Sequence, residues 1–128
     1  MQALTLNWPG GEHRFALRLG ELRALQDSCQ SGPEEVFNRL HAGQWRVNDI
    51  LEPVRLGLIG GGMAREEAGP LVTALADQHP LFGFKMLALE VLFRALAGPE
   101  DDQPEKSAGV TTPAPENGAS LASTGTAP

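Results

Sequence analysis

Histidine and cysteine are the residues of this chain most able to bind a metal or act as nucleophiles, and they are few and widely separated. His13, His41 and His79 have no second ligand near them at helical or loop spacing. Zinc sites, by contrast, show clustered cysteine and histidine. Cys29 is the single cysteine and falls at a predicted helix end, where a small buried apolar role is commoner than reactivity. We therefore expect no metal, no cofactor and no catalytic nucleophile.

Two pairs of adjacent acids are the next candidates for chemistry: Glu34 with Glu35, and Glu66 with Glu67. Neighbouring helical residues point about 100° apart, so the two carboxylates of a pair do not converge on one substrate. Each pair falls in the first turn of a predicted helix, where negative charge interacts favourably with the helix dipole. We predict a role in stabilising helix ends, and a protein that is not an enzyme.

Three glycines end the segment GQWRVNDILEPVRLGLIGGG, residues 43–62, and suggest a phosphate-binding loop. However, no Lys-Ser or Lys-Thr follows them, and a predicted helix, not a strand, precedes them. We predict a helix end and a chain reversal at 60–62, in a loop that is exposed and mobile beside Trp45.

Composition restricts the remaining classes. The chain has 128 residues, which suits one domain, and its formal charge is −6 without any run of basic residues, so we expect no nucleic-acid partner. The longest apolar segment, residues 81–97, is interrupted by charged residues, so we expect no membrane partner. With one cysteine and no signal peptide apparent, a cytoplasmic location is the expectation.

The chain divides into a domain over residues 1–98 and a tail over 99–128. The tail is rich in Pro, Ala, Ser and Thr, carries five acidic residues and one lysine, and has Val110 and Leu121 as its only large aliphatic residues. Such a composition cannot bury enough apolar surface to offset the entropy of ordering, so we predict that the tail is disordered.

Alternating apolar and polar residues predict two strands, over 3–8 and 13–19, around the turn Pro9–Glu12. In the second strand Phe15, Leu17 and Leu19 are expected on one face. Helical spacing then predicts five helices, at 19–29, 33–43, 49–59, 64–78 and 80–97, with Asn48 as the N-cap of the third. The fold class is therefore α+β, with an N-terminal β-hairpin packed on a bundle of four to five helices.

The fifth predicted helix is apolar on more than one face, which indicates either a central position or a face reserved for a partner. Phe82 and Phe93 are close to three turns apart, whereas Phe84 lies off their line. A groove built from the third and fifth helices is the expected binding surface, and a core role remains the alternative for its aromatic residues. The candidate partner-binding residues are Trp45, Leu58, Phe82, Phe84, Leu89 and Phe93.

Read in order, several segments resemble the small tail-assembly-chaperone-like proteins of gene transfer agents and tailed phages. These segments are the hairpin ending in FALRLGELRALQD, the block GQWRVNDILEPVRLGLIGGG, the acids of EEAGPLV and the closing PLFGFKMLALEVLFRALAG, and the resemblance covers residues 3–98. The hairpin-then-helices order and the W…GL.GGG segment carry most of the resemblance.

The resemblance implies a non-enzymatic assembly factor of a phage-like tail, with the tape-measure protein and the tail-tube protein as partners. The first alternative is a minor structural, tube-associated subunit of the tail. The second is a host regulatory helical domain that binds other molecules.

Overall fold

The computed structural model describes residues 1–99, in which a two-stranded antiparallel sheet is followed by five α-helices. This confirms the predicted α+β class. The tail predicted as disordered lies, apart from Pro99, outside the described residues. In chain order the elements are β1 (Leu4–Trp8), β2 (Gly11–Phe15), α1 (Leu19–Cys29), α2 (Pro33–Ala42), α3 (Val47–Gly60), α4 (Arg65–Gln78) and α5 (Leu81–Ala97).

The hairpin closes over Pro9 and Gly10, because Trp8 pairs with Gly11 across the sheet. Gly11 has a φ of +101°, a left-handed conformation that a residue with a Cβ rarely adopts. The strand β1 alternates as predicted: Thr5 and Asn7 are exposed, whereas Leu4, Leu6 and Trp8 are turned inward.

The second strand is shorter than predicted, since it ends at Phe15 and not at Leu19. Phe15 already pairs with Leu4, the first residue of β1, so the chain beyond it has no strand to pair with. The Ala16 N–H instead donates to the Gly57 carbonyl of α3 at 2.9 Å. Leu19, expected to point inward, begins α1 and is 62% exposed.

Helix α3 is the centre of the domain, because it packs against α1, α2, α4, α5 and β2. Its sequence has apolar residues on more than one face, and seven of its residues are buried. A helix that is apolar on several faces must be enclosed by other elements. The sequence suggested this central role for the last helix, whereas in the structure α3 takes it.

The glycines that end α3 allow the hairpin to approach its backbone. A Cβ at Gly60 would overlap the Ala16 carbonyl oxygen, and a Cβ at Gly61 would overlap the Arg14 carbonyl oxygen. The prediction that the helix ends here is confirmed. The loop does not stand free in solvent, because Gly60 and Gly61 lie against the hairpin backbone. Trp45 does not lie beside it, because the 14 residues of α3 separate the two by roughly 20 Å.

The start of α3 is held by an acid that sequence reasoning passed over. The helix begins at Val47, with Arg46 as its N-cap, so the predicted capping role of Asn48 is wrong. Asp49, the third residue of the helix, holds the helix start instead, because its Oδ2 accepts the N–H of the N-cap Arg46 at 2.9 Å.

Asp49 also ties α2 to α3, although it is only 1% exposed. The Arg39 guanidinium donates to it twice, from Nε at 2.9 Å and from Nη2 at 2.6 Å, and donates from Nη1 to the Ser31 hydroxyl at 2.6 Å. Burial alone would raise the pKa of Asp49, but the hydrogen bonds from Arg39 and from the Arg46 N–H outweigh burial and hold the pKa below its usual value. In the folded protein Asp49 is therefore ionised and paired with Arg39.

None of the helices formed by residues 1–99 combines the length and the apolar character needed to cross a bilayer.

We predict that Asp49→Asn lowers the free energy of unfolding by about 3 kcal/mol, because it leaves Arg39 without its buried counter-charge. Since the folded-state pKa of Asp49 is lowered, its contribution is complete above the unfolded pKa and is lost as pH falls through the folded value. Urea unfolding from pH 7 down to pH 2 should show a shallower loss of stability below about pH 4 in the variant than in the wild type. The exposed Glu66→Gln serves as control, and an Asp49→Asn protein as stable as this control would contradict the prediction.

Gly60→Ala should destabilise the domain by about 2–3 kcal/mol in thermal or urea unfolding, because the new methyl group meets backbone that cannot move aside. Gly69→Ala in α4 is the matched control, since its nearest neighbour would be the Arg55 Cδ at 3.7 Å. The control should gain up to roughly 1 kcal/mol from the better helix propensity of alanine. Equal effects of the two substitutions would show that the approach of the hairpin does not require glycine.

Candidate partner-binding groove

Helix α5 has two apolar faces, and only one of them is used inside the domain. Its inner face carries Phe84, Leu87, Ala88, Val91 and Leu92, all buried. Its outer face carries a second row, the apolar stripe, in which Phe82 is 66% and Phe93 56% exposed. The apolar stripe consists of Phe82, Met86, Leu89, Phe93 and Leu96.

Two of the residues predicted to contact a partner are buried and are removed from the candidate surface. Phe84 is fully buried, and its ring stands edge-on to Trp8, with the ring centroids 6.0 Å apart. Leu58 is 1% exposed because it belongs to the enclosed helix α3. The prediction of a groove between the third and fifth helices is also wrong, because α3 and α5 pack directly against each other.

The groove of the structure lies instead over α5, between the hairpin and α2. Its volume is about 640 Å³. One wall comes from β1 and the turn after it, through Leu6, Asn7, Trp8 and Pro9, and the other comes from Phe37 and His41 of α2. The floor is α5, through Gly83, Met86, Leu87, Leu89, Glu90 and Phe93. We call this depression the partner groove.

The partner groove continues toward the C-terminal end of α5 as a smaller depression of about 300 Å³. Phe37 and Phe93 line both parts, and their ring centroids are 6.1 Å apart. The extension adds Glu34, Asn38, Leu96 and Ala97. The apolar stripe is thus accessible along most of the helix.

Trp8 anchors the hairpin wall. Its indole Nε1–H donates to His13 Nδ1 at 2.8 Å. The indole also packs edge-on against Phe15, with a centroid distance of 5.9 Å. The polar and apolar parts of the indole are therefore both satisfied within the domain.

The predicted residues do not all meet in one place. Leu89 and Phe93 line the partner groove. Phe82 lies on the same stripe at the N-terminal end of α5, where Lys85 Nζ sits 5.4 Å from the centre of its ring. Trp45 is partly buried against the core and lines neither part of the groove.

The binding candidates did not include Trp8, Phe37, Met86 and Leu96, which line the groove or its extension. The spacing of four and three residues along α5 could have identified Met86 and Leu96 with Phe82, Leu89 and Phe93. No local signal identifies Trp8 and Phe37 as walls, because they come from elements far apart in the sequence.

The acidic pairs and Cys29, the other candidates for chemistry, lie in surroundings that stabilise the fold. Both acidic pairs lie in the first turns of α2 and α4, as predicted. Burial, together with nearby Asp49, raises the pKa of the Cys29 thiol to about 12, so the thiol is protonated at neutral pH and is a poor nucleophile. Within residues 1–99 no three His, Cys, Asp or Glu side chains are grouped so that they could hold a metal ion.

Phe84→Ala should cost about 3–5 kcal/mol of unfolding free energy, because it opens a cavity in the core. Phe93→Ala, on the exposed stripe of the same helix, should change the stability far less. Urea unfolding followed by circular dichroism measures both. Similar losses for the two variants would mean that the outer face of α5 is part of the core.

A family model described as "Phage tail tube protein, GTA-gp10" matches residues 2–98. No curated protein and no solved structure matches the chain. The matched residues cover the hairpin and all five helices, and therefore every residue of the partner groove. The description supports a role in a phage-like or gene-transfer-agent tail, and it favours the tube-protein alternative over the assembly chaperone. With three quarters of its length matched, the chain belongs to this family of phage tail proteins.

Proposed function

We propose that this protein is a non-enzymatic, cytoplasmic assembly factor of a phage-like tail. In this proposal the partner groove covers an apolar helical segment of the tape-measure protein or of the tail-tube protein until the tail is assembled. The observation that carries the proposal is the apolar stripe of α5: Phe82, Met86, Phe93 and Leu96 are exposed, whereas the inner face of the same helix is buried.

The exposed stripe is best explained by a partner, because soluble proteins rarely keep large contiguous apolar patches without one. Met86, Leu89 and Phe93 of the stripe lie along the floor of a concave surface whose two walls come from other elements. An amphipathic helix laid into such a groove buries its own apolar face and the stripe together, a common mode of peptide recognition. Each 100 Å² of apolar surface removed from water contributes about 2.5 kcal/mol before the costs of association.

A second candidate is a structural subunit of the tail tube, and the family description favours it directly. In that case the apolar stripe contacts the neighbouring subunit permanently. The sheet formed by residues 1–99 has two strands of five residues each, so subunit contacts through this part of the chain rely on helices more than on strands.

The test is co-expression of the full chain with a tape-measure protein or a tail-tube protein from the same source, followed by affinity capture. Phe93→Asp should reduce the captured partner at least tenfold, because it places a charge on the apolar stripe where a bound partner would exclude water. Leu19→Asp is the matched control, since Leu19 is equally exposed but lies outside the groove. Capture that is the same for Phe93→Asp and for the wild type would refute the role of the groove.

Quantitative mass spectrometry of purified particles separates the two candidates. An assembly factor should be absent from finished particles or present far below the amount of the major tube protein. Presence at a fixed ratio to the tube protein would replace the assembly factor with the structural subunit.

A further inference from the structure

The apolar stripe forms one continuous strip along α5. Its five residues follow each other at intervals of four, three, four and three, a mean of 3.5 residues per turn. A strip of this kind is the seam along which one α-helix packs lengthwise on another. The stripe spans Phe82 to Leu96, about 21 Å of helix.

The charges beside the stripe indicate the polar part of the partner. Glu90 lies in the groove next to Leu89 and Phe93, and Glu34 lines its extension beside Leu96. Lys85 is on the other flank, near Phe82. Glu90 and Glu34 are the carboxylates that line the groove and its extension, and a partner with basic residues there gains complementary charge.

A second copy of this chain fits the groove poorly. In each copy α5 lies at the bottom of a depression between the hairpin and α2. Two concave surfaces would touch at their walls before their floors met. The chain's own segment 100–128 is also unsuited, because its large aliphatic residues are only Val110 and Leu121 and it carries the same negative sign as the rim.

We propose that the partner groove takes an amphipathic helix of another protein, with apolar residues at heptad spacing and Lys or Arg beside that seam. The basic residues face Glu90 and Glu34 on α5 and α2. This inference rests on the proposed function and names the partner class that the assembly factor or tube subunit recognises.

The experiment titrates the full chain with three synthetic helical peptides of 21 residues, followed by calorimetry. The first has leucine at heptad positions with flanking lysines. The second has the same composition with its leucines spread around the helix, and the third has glutamate in place of the flanking lysines. The first peptide should bind at least tenfold more tightly than the other two.

Variants connect the peptide preference to the groove. Met86→Asp should weaken the first peptide at least tenfold, and Glu90→Lys combined with Glu34→Lys should reverse the preference between the lysine and glutamate peptides. Val47→Asp is the control, because Val47 is exposed outside the groove. Circular dichroism confirms that each variant is folded.

Three results would overturn the inference. The first is equal binding of the heptad and rearranged peptides. The second is a preference for the lysine peptide over the glutamate peptide that the double substitution leaves unchanged. The third is a dimer in sedimentation that Met86→Asp dissociates, since a second copy would then occupy the groove. If capture of the tail proteins stays sensitive to Phe93→Asp while the peptides bind alike, the proposed function stands and this inference alone fails.

Discussion

The close approach of the hairpin to the glycine end of α3 is the contact on which the partner groove depends. Gly60 and Gly61 let the backbone of β2 lie against the helix end, and the Ala16 N–H completes the contact by donating to Gly57. This contact fixes the hairpin, and with it Trp8, beside α5. A side chain at the helix end would push that wall away from the floor.

The second wall depends on α3 as well, through a charge pair. Arg39 of α2 reaches the buried Asp49 near the start of α3, so the two ends of one helix hold the two sides of the groove. A buried pair of this kind requires accurate geometry, because a misplaced partner leaves a desolvated charge. Phe37 lies two residues before Arg39 and is held over α5 by the same contact. The core of the domain therefore determines the shape of its surface.

The proposed binding role depends on the two faces of α5. Its inner face completes the core, and its outer face keeps exposed apolar surface. The family match supports a role in a phage-like tail. Both proposed roles use the same surface. The contact is temporary in the assembly factor and permanent in the tube subunit.

Local patterns in the chain determined the hairpin, the five helices and the separation of Phe84 from Phe82 and Phe93, because period-two and period-3.6 spacing depend only on neighbouring residues. Tertiary structure decided which apolar faces are covered. It enclosed Leu58 and Phe84, made α3 the central helix, ended β2 at Phe15 and brought Trp8 and Phe37 to either side of α5. The physical reason is that burial depends on which elements meet in space, and residues far apart in the sequence supply those contacts.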